Sequence, residues 1–338
     1  MKYNHARFSQ IYLAYHHAGP FYLTTIIIPA NGHHVKWVKA LIALKKNQLN
    51  LHTCQLNKIM KKIIAVFDGL KYSESTRDYA IFLAKQTNTH LVGLFLDDPI
   101  YASYSIYDLM VDKNVSEKEL KKFKAKDNSL RAASAENFEK ACQQSGLQYT
   151  VRHARNIAIQ EVKHESIYAG LLIIDSKETL TKFTEPLPTR FIRDLLSGAQ
   201  CPVIIAPSKF KPIDKLILLY DGEPSSVYAV KMFTYLLPQL KPAEVSVVSV
   251  NPANATLHIP DSNLMKDFIT ENFTKVKYTV MKGMPEEEIV KHLIRTKGNG
   301  LVVLGAYRRG EVSRWFRESM ADVLMKEIKF PLFIAHNK

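Results

Sequence analysis

Short runs of consecutive apolar residues alternate with amphipathic segments through most of the chain. Two of these runs, Ile63–Gly69 (IIAVFDG) and Leu216–Gly222 (LILLYDG), are nearly the same, and both end in an Asp-Gly pair. A continuous apolar run of this length predicts a strand that is covered on both faces, and the Asp-Gly pair predicts the turn that leaves it. Because helical segments separate such runs, the pattern predicts a parallel sheet with right-handed crossovers.

The first predicted unit covers residues 60–207. Its strands are predicted at Lys62–Phe67, His90–Leu96, Gln148–His153, Leu171–Ile174 and Pro202–Ala206. Its helices are predicted to begin at Ser73, Ser116, Ala158 and Thr189. Ser116 and Glu119 have the spacing of a capping box, in which each side chain accepts a hydrogen bond from the backbone N–H of the other residue.

The same order of elements recurs in residues 215–338, after a linker at residues 208–214. The strands of this second unit are predicted at Lys215–Leu219, Glu244–Val250, Val276–Val280, Leu301–Leu304 and Pro331–Ala335. Its helices are predicted at Ser225–Leu236, at Asp261–Asn272, from Pro285 onward and at Ser313–Ile328. The chain is therefore predicted to build one scaffold twice.

A basic loop bounded by two glycines follows the fourth strand of the second unit. It runs from Gly305 to Gly310 and contains Arg308 and Arg309. Open α/β sheets bind ligands at the carboxyl ends of their strands. Glycine lets the backbone approach a phosphate, arginine pairs with phosphate oxygens, and a helix N-terminus offers free N–H groups. The loop is therefore the candidate binding site, with the hydroxyl of Ser319 as a further contact.

This stretch resembles the ATP-binding end of the universal stress protein family. The pattern of that family is Gly, two residues, Gly, nine residues, then Gly and Ser or Thr. In this sequence the first glycine is Gly305 and the terminal hydroxyl is Ser319, whereas Arg308 and Glu318 stand at the other two glycine positions. The Gly283-Met-Pro-Glu sequence that opens a helix is also typical of the family. The resemblance to the ATP-binding members is partial.

The resemblance covers residues 60–338 and implies an α/β fold of the adenine-nucleotide alpha-hydrolase-like type. It implies two tandem open parallel five-stranded sheets, each with the strand order 3-2-1-4-5. Family members commonly pair through their last strands, so the two repeats would pack as a pseudo-dimer by intrachain pairing, which covers two sheet edges. The ligand crevice would lie between the first and fourth strands of each repeat.

The function that the resemblance implies is a regulatory module in stress response, with weak binding of ATP in the second repeat. The alternative is a nucleotide-free interaction or scaffold protein of the same fold. The nucleotide-binding positions that the resemblance implies are Asp221, Val250, Gly305, Arg308, Arg309 and Ser319. A homodimer and an unidentified protein partner are both compatible with it.

Each of these positions also has a simpler structural interpretation. Asp221, like Asp68 in the first repeat, stands where the family has an aspartate on the adenine side, but it is also suited to capping a turn. The backbone of Val250 would meet adenine, or its side chain would be a core valine. The guanidinium of Arg308 would hold phosphate, or it would fill the pocket where the family has a glycine.

The first repeat lacks the phosphate loop. Asp175 stands where Gly305 stands in the second repeat. Its carboxylate would repel a phosphate, and its Cβ replaces the open backbone of glycine. Residues 60–207 are therefore expected to bind no nucleoside triphosphate.

Motifs for catalysis are missing from the sequence. It contains no GxxxxGK[ST] phosphate loop, no GxGxxG and no His-x-Gly-His or Ser-Gly-Gly-x-Asp after the first strands. We therefore expect no catalytic residues and no metal site, although slow ATP hydrolysis is compatible with the sequence.

The formal net charge of +14 raises the question of whether the chain binds nucleic acid. Residues 1–60 contain seven Lys and Arg and no acid, and this segment carries half of the excess charge. No arginine-rich run, zinc-finger spacing or RNP-type aromatic motif accompanies it, which argues against nucleic-acid binding. Residues 1–59 are interpreted as a basic extension, either disordered or translated upstream sequence, and Met1–Asn57 is expected to be dispensable for folding.

The cysteines and the hydropathy pattern bear on the compartment. Cys54, Cys142 and Cys201 are odd in number, widely spaced and form no CxxC. This usage predicts a reducing, cytoplasmic compartment and no metal cluster. The sequence contains no run of about 18 apolar residues, so no membrane span is predicted.

Overall fold

The computed structural model describes residues 9–11, 26–28, 62–98, 116–240, 244–254, 257–306 and 319–336. The chain divides into two compact units, Met1–Asn57 and Lys58–Lys338. In the first unit, strand β1 (Ser9–Ile11) pairs antiparallel with strand β2 (Ile26–Ile28).

The second unit alternates strands and helices, as the apolar pattern predicts. Its strands are β3 (Lys62–Asp68), β4 (His90–Leu96), β5 (Tyr149–Ala154), β6 (Leu171–Asp175), β7 (Val203–Ala206), β8 (Lys215–Leu219), β9 (Glu244–Asn251), β10 (Val276–Lys282), β11 (Gly300–Gly305) and β12 (Leu332–Ala335). Its helices are α1 (Glu74–Thr87), α2 (Glu117–Gln144), α3 (Ala158–Ile167), α4 (Arg190–Gly198), α5 (Pro224–Leu236), α6 (Ser262–Asn272), α7 (Pro285–Arg295) and α8 (Met320–Glu327).

The ten strands described for this unit form one sheet. Its order is β10-β9-β8-β11-β12-β7-β6-β3-β4-β5. Strands β3–β7, here called the first half, and β8–β12, the second half, each run in the order 3-2-1-4-5. The two predicted five-stranded sheets are one ten-stranded sheet, because β7 pairs antiparallel with β12, which is the predicted pairing of the last strands. All the other neighbours in this sheet are parallel.

The core lies on both faces of the sheet. Successive residues of a strand point to opposite faces, so Ile63, Ala65 and Phe67 of β3 join one buried cluster and Ile64 and Val66 join the other. Both clusters contain residues of both halves. The halves therefore share one continuous core on each face, and the uninterrupted apolar runs of the sequence follow from burial on two sides.

The longest described helix, α2, begins at the predicted capping box. The Ser116 hydroxyl accepts a hydrogen bond from the Glu119 N–H, and the Glu119 carboxylate accepts one from the Ser116 N–H. The buried residues of α2 all lie from Arg131 onward, so its first turns run along the surface. No helix in the described part of the chain has the length and apolarity of a membrane span.

Candidate functional site

Three of the predicted site residues of the second half lie at one edge of the sheet. β9, β8 and β11 are parallel neighbours, so their carboxyl ends lie side by side. Asp221 follows β8, Val250 lies near the end of β9, and Gly305 ends β11. The fold therefore brings these three positions together at the point where the strand order reverses, which is where open α/β sheets bind ligands.

Asp221 is exposed and stabilises the turn that leads into α5. Its Oδ1 accepts hydrogen bonds from the Glu223 N–H at 2.9 Å and from the Ser226 hydroxyl at 2.7 Å. These contacts are the ones expected if Asp221 caps a turn. Its exposure still leaves the carboxylate accessible from the crevice.

Asp68, the counterpart in the first half, lies in different surroundings. Its side chain is fully buried, and its Oδ1 accepts a hydrogen bond from the Leu70 N–H at 2.8 Å. Its Oδ2 has no hydrogen-bond partner among the described residues. Burial raises the pKa of this carboxyl. The two aspartates occupy matching positions, but only Asp221 is accessible.

Gly305 lies against the first turn of α5. A Cβ at this position would overlap the Ser225 carbonyl group and would come within 2.8 Å of the Ser226 backbone nitrogen. The glycine is therefore needed for packing of β11 against the helix, whether or not a phosphate binds there. Its replacement by aspartate would disturb the fold as well as any binding, so it is a poor test of binding.

Ser319 is the N-cap residue of α8. Its backbone is extended, and its hydroxyl accepts a hydrogen bond from the Asp322 N–H at 3.3 Å. A single helix over Ser313–Ile328 is not what the structure shows, because Ser319 is extended and α8 begins at Met320; Ser313 itself lies outside the described residues. The hydroxyl therefore stands at a helix N-terminus rather than two turns along a helix. Arg308 and Arg309, the other predicted phosphate contacts, lie outside the described residues.

Val250 is half-buried and packs against the core cluster on one face of the sheet. It pairs with Met281 of β10. The core interpretation of its side chain is consistent with this position. The backbone of Val250 nevertheless lies at the same sheet edge as Asp221.

The crevice of the first half contains an aspartate in place of Gly305. Asp175 Oδ2 accepts a hydrogen bond from the hydroxyl of Ser73, the N-cap residue of α1, at 2.6 Å. Its Oδ1 accepts one from the Lys177 N–H at 2.8 Å. The carboxylate thus takes up space next to a helix N-terminus, where an anion would otherwise bind.

Glu178 is a residue of this crevice that sequence analysis did not identify. Its Oε1 accepts hydrogen bonds from the N–H groups of Thr179 and Leu180, both at 2.9 Å. Burial, together with the nearby carboxylates of Asp68 and Asp175, raises its pKa from 4.5 to about 7. The sequence contains one signal that could have identified Glu178 as a crevice residue. It lies three residues after Asp175, just as Arg308 lies three residues after Gly305.

The loop between β6 and α4 closes over this crevice. Thr189, the N-cap residue of α4, donates its hydroxyl to the Glu178 carbonyl. Leu180 is buried in a left-handed conformation with φ of 48°. The Lys71 ammonium lies 3.5 Å from the Thr179 hydroxyl and also contacts the Thr181 carbonyl. These contacts hold the loop against the first-half crevice, beside Asp68 and Asp175.

A second group of charges borders the first-half crevice at the end of β4. Arg131 of α2 donates to the Leu96 carbonyl at 3.1 Å and forms an ion pair with Asp97. His153 lies 3.5 Å from the other oxygen of that carboxylate. Arg131 and Asp97 pair with each other, so neither of these charges is directed to an absent ligand.

Neither described cysteine has the character of a reactive thiol. Cys142 and Cys201 are buried and form no disulfide. Burial raises the pKa of each to about 12, so both are protonated at neutral pH. The part of the chain that the structure describes holds no group of three or more His, Cys, Asp or Glu arranged for a metal ion.

Comparison with known proteins identifies the fold. Neither a protein-family model nor a curated protein matches this sequence. A universal stress protein from Archaeoglobus fulgidus superposes with a TM-score of 0.58 at 14% identity, over 83% of this chain and 98% of that one. A putative universal stress protein from Pseudomonas aeruginosa superposes with a TM-score of 0.51 at 16% identity, over 82% and 94% of the two chains.

A protein of unknown function from Pseudomonas aeruginosa PAO1 is similar to the same extent. Its TM-score is 0.54 at 14% identity, with 82% of this chain and 93% of that chain covered. At this level of identity the likeness concerns the fold and not the chemistry of the site. This chain therefore has the fold of the universal stress proteins.

Proposed function

We propose that this chain is a regulatory module of the universal stress protein type in stress response, with one weak adenine-nucleotide site, in its second half. The observation that carries the proposal is the difference between the two crevices. In the first half, Asp175 and Glu178 occupy the crevice and the loop after β6 closes it. In the second half, Gly305 replaces the aspartate, and Asp221 is exposed at the same edge.

The position of Ser319 supports the same proposal. A hydroxyl at the start of a helix stands next to free backbone N–H groups and the positive end of the helix dipole, which together favour an anion. In the first half the matching hydroxyl, that of Thr189, donates to a carbonyl of its own loop. ATP bound in the second half would therefore place its phosphates near the N-terminus of α8, with Arg308 and Arg309 as further contacts.

The alternative function is that of a nucleotide-free interaction or scaffold protein. It is favoured by the structural tasks that the site residues perform. Asp221 holds a turn, Gly305 allows close packing, and Ser319 caps a helix. On this hypothesis the crevice has no ligand, and the fold itself is what a protein partner recognises.

Two measurements distinguish the proposal from its alternative. Heat denaturation of the purified protein should release adenine absorbance into the supernatant if nucleotide is carried through purification. Calorimetric titration of the full chain with ATP should then give one site per chain. Absence of adenine and of binding heat would leave only the scaffold function.

Ser319→Ala and Thr189→Ala form a matched pair of variants for this titration. Each removes the hydroxyl of a helix N-cap and is expected to cost about 1 kcal/mol of stability. Only Ser319→Ala should weaken ATP binding, since Thr189 lies in the closed crevice. Equal effects of both variants on ATP binding would contradict the proposed location.

Arg308→Gly tests the contribution of the loop arginine. Weaker ATP binding by this variant means that the guanidinium holds phosphate. Tighter binding means that it fills the pocket where a glycine would leave room. An unchanged affinity would remove Arg308 from the proposed site.

A further inference from the structure

A cavity of about 340 Å³ lies where the two halves of the sheet join. Gly170, Cys201 and Pro202 line it from the first half, at the starts of β6 and β7. Met232 of α5 and His336, after β12, are among the residues that line it from the second half. None of the predicted nucleotide contacts is among the described residues that line it.

The opposite side of the same junction is filled by the linker between the halves. Each half has the strand order 3-2-1-4-5 from its outer edge to the centre of the sheet, and the central pair, β7 and β12, is antiparallel. An approximate twofold rotation therefore relates the halves. The matching position next to α1 holds Phe210 of the linker. Its ring packs edge-on against Tyr79, with centroids 4.8 Å apart, and lies 6.0 Å from the ring of Phe82.

Polar side chains hold the linker backbone on that side. The Ser75 hydroxyl donates to the Pro207 carbonyl at 2.6 Å, and the Lys211 N–H donates to the Tyr79 hydroxyl at 3.4 Å. The Asn299 amide donates to the Lys211 carbonyl at 2.7 Å. The slot next to α1 is therefore built for a peptide backbone that carries an aromatic ring.

The cavity next to α5 is lined by apolar side chains, such as those of Met232 and Leu236, and by polar ones, such as those of Gln200 and His336. Tyr228, Met232 and Ala169 line it at the positions that correspond to Ser75, Tyr79 and Asn299. Methionine and alanine cannot hydrogen-bond a peptide backbone in the way that tyrosine and asparagine do. Two of the three side chains that hold the linker backbone thus have no hydrogen-bonding counterpart here, and the Met232 thioether offers a polarizable contact to a ligand instead.

We propose that this cavity binds a small neutral aromatic compound, which would lie where Phe210 lies on the other side of the junction. A cavity of about 150 Å³ is enough for benzene, so a volume of about 340 Å³ accommodates a fused pair of rings. The Met232 sulfur would contact the ring, often at its edge, and such sulfur–aromatic contacts are favourable. The site is separate from the nucleotide crevice, and it does not depend on the proposed function.

Indole is a suitable probe, because it has two fused rings and no charge. Calorimetric titration of the full chain with indole should give saturable binding of one molecule per chain. Met232→Trp places an indole ring inside the cavity and should weaken binding by about tenfold or more. Met232→Phe, which fills less of the space, serves if the tryptophan variant does not fold. Failure of the parent chain to bind indole, or unchanged binding by a folded variant, would overturn the proposal.

Phe210→Ala provides the matched variant on the other side of the junction. It removes the ring that fills the counterpart slot, where Tyr79 and Phe82 remain as walls. A second molecule of indole per chain should then bind. If Phe210→Ala folds and gains no second site, the analogy between the two positions fails and the proposal falls with it.

Discussion

Replacement of Glu178 by glutamine is expected to stabilise the protein at neutral and alkaline pH. The Glu178 side chain is buried in the first-half crevice, close to Asp68 and Asp175. Its Oε1 accepts two backbone hydrogen bonds, from Thr179 and Leu180, and the Oε1 of glutamine can accept the same two. The substitution therefore removes the charge and preserves the contacts that hold the loop.

The magnitude follows from the pKa of the carboxyl. The pKa rises from 4.5 to about 7 on folding, and each pKa unit corresponds to about 1.4 kcal/mol. The ionised side chain thus costs the folded state about 3 kcal/mol once the pH is above about 7. Burial of a new amide NH₂ group offsets part of the gain, so we expect Glu178→Gln to add about 2 kcal/mol at about pH 8.

The sign of the pH dependence is fixed by the raised pKa. Between 4.5 and about 7 the folded protein keeps a proton on Glu178 that the unfolded chain has lost. Stability is therefore complete below 4.5 and is lost as the pH rises through about 7. Glu178→Gln should flatten this part of the profile, and the two proteins should differ least at acid pH.

Urea unfolding at a series of pH values measures this difference directly. Glu271→Gln, on the exposed surface of α6, is the control and should leave the profile unchanged. A Glu178→Gln variant with the parent's slope between pH 5 and 7, or with lower stability at about pH 8, would refute the reasoning from burial.

Two other substitutions test the packing and the charges of the sheet. Gly305→Ala should destabilise the protein by about 1–3 kcal/mol in urea unfolding, because its Cβ overlaps the Ser225 carbonyl group; an unchanged midpoint would contradict this contact. Burial acts to raise the pKa of Glu165, but its hydrogen bonds and ion pairs with Lys62 and Arg152 together outweigh burial and lower this pKa. Glu165 therefore contributes stability that is present above 4.5 and is lost as the pH falls through its lower folded pKa. Glu165→Gln should therefore cost about 1 kcal/mol at neutral pH and progressively less in acid, which is opposite in direction to Glu178→Gln; a constant difference at all pH values would show that the charge is not the cause.

The sequence by itself determined the order and the kind of the elements in the second unit. Apolar runs such as Ile63–Phe67 gave strands because both faces of the sheet are covered, so that every position must be apolar. The capping box at Ser116 and Glu119 located the start of α2, because its hydrogen bonds join residues three apart in the chain. These signals are local, and a sequence displays them in full.

The start of α8 is a feature that local sequence signals did not locate. The sequence analysis placed it at Ser313, which lies outside the described residues, but Ser319 is the N-cap residue of α8 and the helix begins at Met320. Serine is favourable at a helix start and tolerated within a helix, so the sequence alone does not separate the two positions.

Only the tertiary structure decided that the two predicted sheets are one and how the residues at each crevice are buried. The joining of two predicted sheets into one depends on hydrogen bonds between β7 and β12, which are far apart in the chain. The same is true of the contact between Gly305 and the first turn of α5, and of the burial of Glu178 beside Asp68. The sequence does not show whether a glycine or a glutamate is surrounded by backbone, carboxylate or water. Its role is set by neighbours that only the folded chain brings within a few ångströms.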